Sequence, residues 1–243
     1  MNDEPQIIIS GEDLKGLHNQ NLRQSRMRIK EGKAYRDIST VVVIPTRGKI
    51  SDRVVEAWWN LMMPMNQHTV RMFIRRMEVG EAYNAAVETI LEHPILKNFR
   101  YMLTLEEDNI PPPDGLIRLY ESVDDFSVIA GLYWTKGEGG QPMIYGDPKT
   151  ILAFQPQPPL PGRVQECNGV GMGFTLFDLK IFRDERIPKP WFKTVQSWSQ
   201  TEGAAQGTQD LYFMQNARRA GYRIASDNRV RVGHYDDQND IVW

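Results

Sequence analysis

The run Thr40-Val41-Val42-Val43-Ile44 constrains this chain more than any other stretch. Its β-branched side chains, closed by Pro45, leave no polar face for water, as expected of a strand buried on both faces of a sheet. We therefore read it as the first central strand. Residues 69–74 form a second strand candidate, and 80–91 read as a helix with Ala82, Ala86 and Ile90 on one face. Residues 100–105 form the next strand, which runs into Glu106-Glu107-Asp108-Asn109 and is stopped by Pro111-Pro112-Pro113. A helix then starts with Asp114 as its N-cap, and Leu116, Ile117, Tyr120 and Val123 give its apolar stripe.

Further along, 128–134 is a strand, and the many prolines and glycines of 137–161 predict a long loop or hairpin over the sheet face. Residues 168–177 resume strand character. Gly169, Gly171 and Gly173 fall there at period two, so one face lacks side chains and lets another group approach the backbone. Residues 208–220 predict an amphipathic helix ended by Gly221, and short strands at 222–225 and 229–233 lead to His234. The tail ends in Ile241-Val242-Trp243, which would dock on a neighbouring element. Strands alternating with helices argue for an α/β fold with a mixed sheet, parallel in its first half and flanked by helices.

Composition removes several function classes. With 29 basic against 31 acidic side chains the net charge is −2, which excludes a dominant polycationic nucleic-acid binder. The single cysteine, Cys167, permits neither an intramolecular disulfide nor a multi-cysteine zinc site. No apolar run approaches the roughly 20 residues of a spanning helix, and the start of the chain lacks the order of a signal peptide, so no membrane span and a cytoplasmic protein are expected. Without a repeat or a long polar linker, one domain is favoured over residues 38–243. Residues 1–37 differ. There the apolar patch Ile7-Ile8-Ile9 precedes a basic extension carrying Arg23, Arg26, Arg28, Lys30, Lys33 and Arg36, either a solvated arm or a contact for an anionic partner.

The sharpest chemical feature is the acid run at the end of the strand at 100–105. Three successive carboxylates repel one another and need a compensating positive charge. In open α/β sheets ligands bind at the carboxyl ends of strands, and Glu106 and Asp108 lie on one side if extended geometry persists. Oxygen ligands so spaced suit Mg²⁺ or Mn²⁺, with a substrate phosphate completing the shell. The bland alternative is an exposed acidic turn before a helix.

This stretch resembles the acidic signature of nucleotide-sugar glycosyltransferases of the GT-A fold, a Rossmann-like mixed sheet, written here as Glu106-x-Asp108. Val41-Val42-Val43-Ile44-Pro45-Thr46-Arg47 is similar to their first strand and nucleotide-binding turn, and Gly80-Glu81-Ala82-Tyr83-Asn84 to the helix that approaches the donor. Residues 168–174, Pro190-Trp191-Phe192, Gln209-Asp210-Leu211 and Val232-Gly233-His234 follow in the family's order, as in small bacteriophage and bacterial relatives. The resemblance covers about residues 40–236. It departs at Glu106, where Asp is usual, at Gln209, where Glu is usual, and at Tyr83, where an arginine is frequent; Arg47 or the Arg75-Arg76 pair would replace that phosphate contact.

The resemblance implies a metal-dependent, inverting transfer of a sugar from a nucleoside-diphosphate donor, most naturally a UDP-sugar, to a hydroxyl. Asp108 would be the main ligand of Mn²⁺ or Mg²⁺, with Glu106 and His234 in support. Asp210 would be the general base, and Pro45, Thr46, Arg47, Asn84 and Glu107 would hold the donor. Trp134, Trp191 and Gly171 would face the acceptor, a glycan or a hydroxymethylated DNA base, as in phage enzymes of DNA modification acting in the host cytoplasm. A catalytically silent sugar- or nucleotide-binding module is the competing reading. A nucleotidyltransferase is a third, although the chain lacks a Gly-rich phosphate loop followed by lysine.

Overall fold

A computed structural model describes residues 6–11, 37–65, 67–150, 153–199 and 203–243, with the backbone alone at 6–11, 197–199 and 203–206. The elements in chain order are β1 (Gln6–Gly11), β2 (Thr40–Thr46), α1 (Asp52–Asn60), β3 (Thr69–Arg75), α2 (Val79–Glu92), β4 (Tyr101–Leu105), β5 (Asn109–Ile110) and α3 (Gly115–Tyr120). There follow β6 (Val128–Leu132), β7 (Ile144–Tyr145), β8 (Val164–Cys167), β9 (Gly169–Val170), β10 (Phe174–Asp178), β11 (Val195–Ser199) and β12 (Gly203–Gly207). The chain ends with α4 (Gln209–Arg219), β13 (Ile224–Arg231), β14 (Gly233–Asp236) and β15 (Ile241–Val242).

All side chains of β2 are buried, as the β-branched run requires. Val41 and Val43 join Met72, Ala82, Ala86 and Ile90 on one side of the sheet, so α2 covers that face together with Phe213, Met214 and Ala217 of α4. On the other side Val42 and Ile44 meet Leu116 and Leu119 of α3, with Trp58 of α1 packed against them. Among the described residues the main sheet has eight strands in the order β1-β3-β2-β4-β10-β6-β13-β8. Strands β3, β2 and β4 run parallel, β10 is inserted antiparallel between β4 and β6, and β13 runs parallel to β6. This is the mixed α/β sheet, parallel at its start and flanked by helices, that the sequence pattern predicts. No helix among the described residues is long and apolar enough to cross a membrane.

Some elements depart from expectation. Residues 6–11, assigned to an extension, pair antiparallel with β3 at the edge of the main sheet; the basic cluster from Arg23 to Arg36 lies outside the described residues. Helix α1 and the β11–β12 hairpin are additional. The two short strands expected after residue 222 form one strand, β13. The single strand expected at 168–177 is broken between β9 and β10, and Gly173, in the break, passes so close to Asn109 that a Cβ there would lie 2.3 Å from its side-chain oxygen. Thr175 Oγ1 donates to the Gly171 carbonyl at 2.7 Å and spans the break. Gly221, with φ +89, ends α4 in the left-handed conformation glycine tolerates. Ile241–Val242 docks as expected, as a strand against β14.

Candidate functional site at the carboxyl ends of β2 and β4

Strands β2 and β4 are parallel neighbours with Val43 opposite Thr104, so Pro45-Thr46-Arg47 and Glu106-Glu107-Asp108 emerge together at one edge of the sheet. They line a cleft of about 450 Å³ with Met77, Val79, Lys136 and Gln209. Glu107 joins the two strand ends: its carboxylate accepts from Thr46 Oγ1 at 2.6 Å and from the Arg47 backbone N–H at 2.9 Å, and it pairs with the Arg47 guanidinium. Thr46 Oγ1 also accepts from the Gly48 N–H at 2.9 Å. The turn after β2 is therefore held by the acid run itself, and the Arg47 side chain reaches out of it largely exposed.

Two nitrogen groups meet at the Asp108 carboxylate. Lys136 Nζ lies 2.6 Å and His234 Nε2 3.3 Å from the same oxygen, Oδ2. Burial raises the Asp108 carboxyl, but the hydrogen bonds and charges of His234 and Lys136 outweigh it and bring it down to about 2. His234 reaches this position because β14 pairs with β5, placing His234 opposite Asn109. Its Nδ1 lies 2.8 Å from the Trp134 carbonyl. A carbonyl can only accept, so Nδ1 carries a proton; Nε2 donates to Asp108 only in the doubly protonated ring, the form that lowers the Asp108 carboxyl, whereas a neutral ring turns a lone pair towards it. Two acceptors facing each other call for a second proton or a shared cation, and an Nδ1–H to carbonyl bond is the usual orienting contact of a metal-binding histidine.

Glu106 is held differently. The Tyr83 hydroxyl donates to its Oε1 at 2.8 Å. Burial pushes its carboxyl up to about 7, against the Tyr83 bond, and the negative charges of Asp108 and Asp210 add to the rise. Asp210, in the first turn of α4, is 7% exposed. Burial raises its carboxyl too, and its charge reaches Glu106, Tyr83, Tyr133 and Tyr145. The neighbouring Gln209, not Asp210, lines the cleft wall. Among the described residues no group of three or more His, Cys, Asp or Glu side chains is gathered closely enough to hold a metal ion by itself. Asp108 and His234 present one oxygen and one nitrogen donor, too few to hold a cation unless further oxygen ligands complete the shell.

Three residues expected at the site do other work. Both ends of the Asn84 amide are taken by the backbone of Phe192: Nδ2 donates to its carbonyl at 2.7 Å and Oδ1 accepts from its N–H at 3.0 Å. Asn84 therefore fastens the segment after β10 to α2 and does not present its amide to a donor. Trp191 is 1% exposed and packs edge-on against Phe182, a core residue with no face open to an acceptor. A Cβ on Gly171 would lie 2.2 Å from the Tyr133 hydroxyl, so the group that approaches this bare backbone is a protein side chain. Trp134 is half-buried and contributes its carbonyl to His234; its side chain is not among those that line the cleft. Lys136 and Tyr83 were not foreseen as partners of the carboxylates; the need for positive charge beside the acid run was the available signal for Lys136.

No protein-family model matches the sequence, and none of the curated proteins does. Among solved structures, the crystal structure of A197 from STIV matches with a TM-score of 0.56 and 18% sequence identity, over 84% of this chain and 92% of that one. The chain thus resembles A197 in fold.

Proposed function

We propose that the protein is a glycosyltransferase that moves a sugar from a nucleoside-diphosphate donor, a UDP-sugar in the first instance, to a hydroxyl acceptor with inversion. The observation that carries this reading is the convergence of the β2 turn and the acid run on one cleft, with His234 set against Asp108, in a chain whose sequence resembles the GT-A glycosyltransferases. Asp108 and His234 would hold Mn²⁺ or Mg²⁺, with Glu106 behind them. Such an ion supplies Lewis-acid stabilisation of the charge that builds on the leaving diphosphate. The chain's own residues do the rest. The turn fixed by Glu107 presents Thr46 and the Arg47 guanidinium to the nucleotide. Asp210, its basicity raised by burial, takes the acceptor proton as the glycosidic bond forms.

One observation favours a second reading, a silent binding module. Lys136 already pairs with Asp108, and Asp210 is not among the residues that line the cleft. Thermal stabilisation by UDP, GDP, CDP and dTDP, each with and without Mn²⁺, tests the donor half of the proposal. A shift with one diphosphate that requires metal supports it, and no shift with any of them removes it. Binding without sugar transfer to glycan or hydroxymethylated DNA acceptors leaves the silent module.

A further inference from the structure

Beside the cleft lies a second, differently built surface. Strand β3 alternates strictly, with Val70, Met72 and Ile74 in the core and Arg71, Phe73 and Arg75 on a half-open face. Helix α1 lies along this face and adds Trp58 and Trp59. Trp58, Trp59, Arg71 and Phe73 line a groove of about 460 Å³ with Ile50 and Val55. Ile50 and Phe73 continue into a space of about 300 Å³ with Arg75, Gly48 and Thr46. Thr46 is also a wall of the donor cleft, so the groove and the cleft adjoin at that residue. The two are mechanically joined as well, because the Trp58 indole N–H donates to the Asn109 carbonyl at 3.0 Å, directly after the acid run.

The chemistry of the groove differs from that of the cleft. No carboxylate lines it. Neither Arg71 nor Arg75 has a carboxylate partner among the described residues. Trp59 is 83% exposed, an unusual position for the largest aromatic side chain. An arginine–aromatic–arginine stripe at alternate strand positions sets the Cα atoms of the two arginines about 13 Å apart. That span matches two to three nucleotide steps, with ring faces between them for stacking. Positive charge tracking a backbone and aromatics stacking its bases is the recognition chemistry of single-stranded nucleic acid. An uncharged glycan would use the aromatic faces but not the paired guanidiniums.

We infer that this groove binds a single strand of nucleic acid, with Arg71 and Arg75 on its phosphates and Trp59 stacked on a base, and feeds the strand past Thr46 towards the donor cleft. Its role as the acceptor path rests on the transferase reading; the binding itself does not.

The test is fluorescence anisotropy of a labelled 12-nucleotide oligo(dT) with the full chain, at 50 and 200 mM salt. Wild type is compared with Arg71→Gln/Arg75→Gln and Trp59→Ala, with folding checked by circular dichroism. The double variant is expected to bind at least tenfold more weakly and to flatten the log–log salt slope by about 1.4. Trp59→Ala should lose about tenfold in affinity, from one lost stacking contact. No binding by wild type at 50 mM salt overturns the inference. So does equal binding by folded variants, which places the contact outside the groove. Stabilisation by UDP with Mn²⁺ is measured in parallel on wild type and Trp59→Ala and is expected to be the same in both. If it is absent in both while the oligonucleotide results hold, the groove stands and the transferase reading fails.

Discussion

His234 Nε2 lies 3.3 Å from Asp108 Oδ2, and the imidazole is aimed there by its other nitrogen, which is tied to the Trp134 carbonyl. The pair is made by strand register: β14 pairs with β5, and the Tyr235 N–H donates to the Asp108 carbonyl at 2.7 Å, so backbone bonds fix both side chains. Removing the carboxylate charge should therefore disturb chemistry more than fold. Asp108→Ala is expected to abolish manganese-dependent turnover, falling at least about 100-fold, while circular dichroism stays native. Turnover close to wild type would remove Asp108 from the metal assignment.

Glu106 gives the pH dependence its sign. Its carboxyl rises from 4.5 to about 7 in the folded chain, so the folded state holds the proton more tightly than the unfolded state does. This contribution to stability is present in full below about pH 4.5 and is lost as pH rises to about 7. Glu106→Gln mimics the protonated form. In metal-free buffer it should raise the melting temperature by a few degrees at pH 8 and change it little at pH 5. A variant less stable than wild type at pH 8 would show that Glu106 is ionised without strain. Asp108 acts oppositely: held near 2, it contributes stability above about pH 4 that is lost as acid protonates it.

The distance between Asn84 and the backbone of Phe192 turns an expected donor contact into a fastening. Asn84→Ala leaves an N–H and a carbonyl of the Phe192 backbone without partners, at a cost of about 1–3 kcal/mol. The measurement is urea unfolding of wild type and variant. Below the transition, UDP affinity should match wild type; a loss of donor affinity with unchanged stability would return Asn84 to the donor site.

These cases show where sequence reading succeeds and where it stops. The β2 run and the acid run are legible because each declares itself locally, by a lack of polar faces and by an excess of charge. The Thr46–Glu107 and Asp108–His234 pairs depend on which strands lie side by side, and only their placement at strand ends hints at it. Asn84 misleads because its partner is backbone, which has no residue-type signature. Trp191 misleads because an aromatic that fills a core and one that stacks on a sugar look alike in sequence. The glycines at 169, 171 and 173 were rightly read as making room for close approach, but sequence does not say to whom.

Gly171 makes the last point measurable. With the Tyr133 hydroxyl 2.2 Å from where a Cβ would sit, Gly171→Ala forces the Tyr133 ring or the backbone to move. The expected cost is about 1–3 kcal/mol, typical of overpacking. Adding Tyr133→Phe removes the clashing hydroxyl, although it also removes the acceptor of the Gly173 N–H at 3.0 Å. A double-mutant cycle should therefore show a favourable coupling of more than about 0.5 kcal/mol. Strict additivity would mean that Gly171 is kept for something other than the Tyr133 approach.

Asp210 separates the transferase from the silent module. It sits at the start of α4, where the helix dipole favours a carboxylate regardless of catalysis, yet burial raises its basicity. Asp210→Asn keeps the shape and the backbone bond to Leu211, and removes only the ability to accept a proton. If Asp210 is the general base, stabilisation by diphosphate with Mn²⁺ persists while transfer falls at least about 100-fold. Loss of both would assign it to donor binding or to the structure of the helix start, and unchanged transfer would leave the acceptor proton to another group. Isothermal calorimetry with UDP and single-turnover transfer on the same preparation distinguish the three outcomes, because one reads binding alone and the other the chemical step.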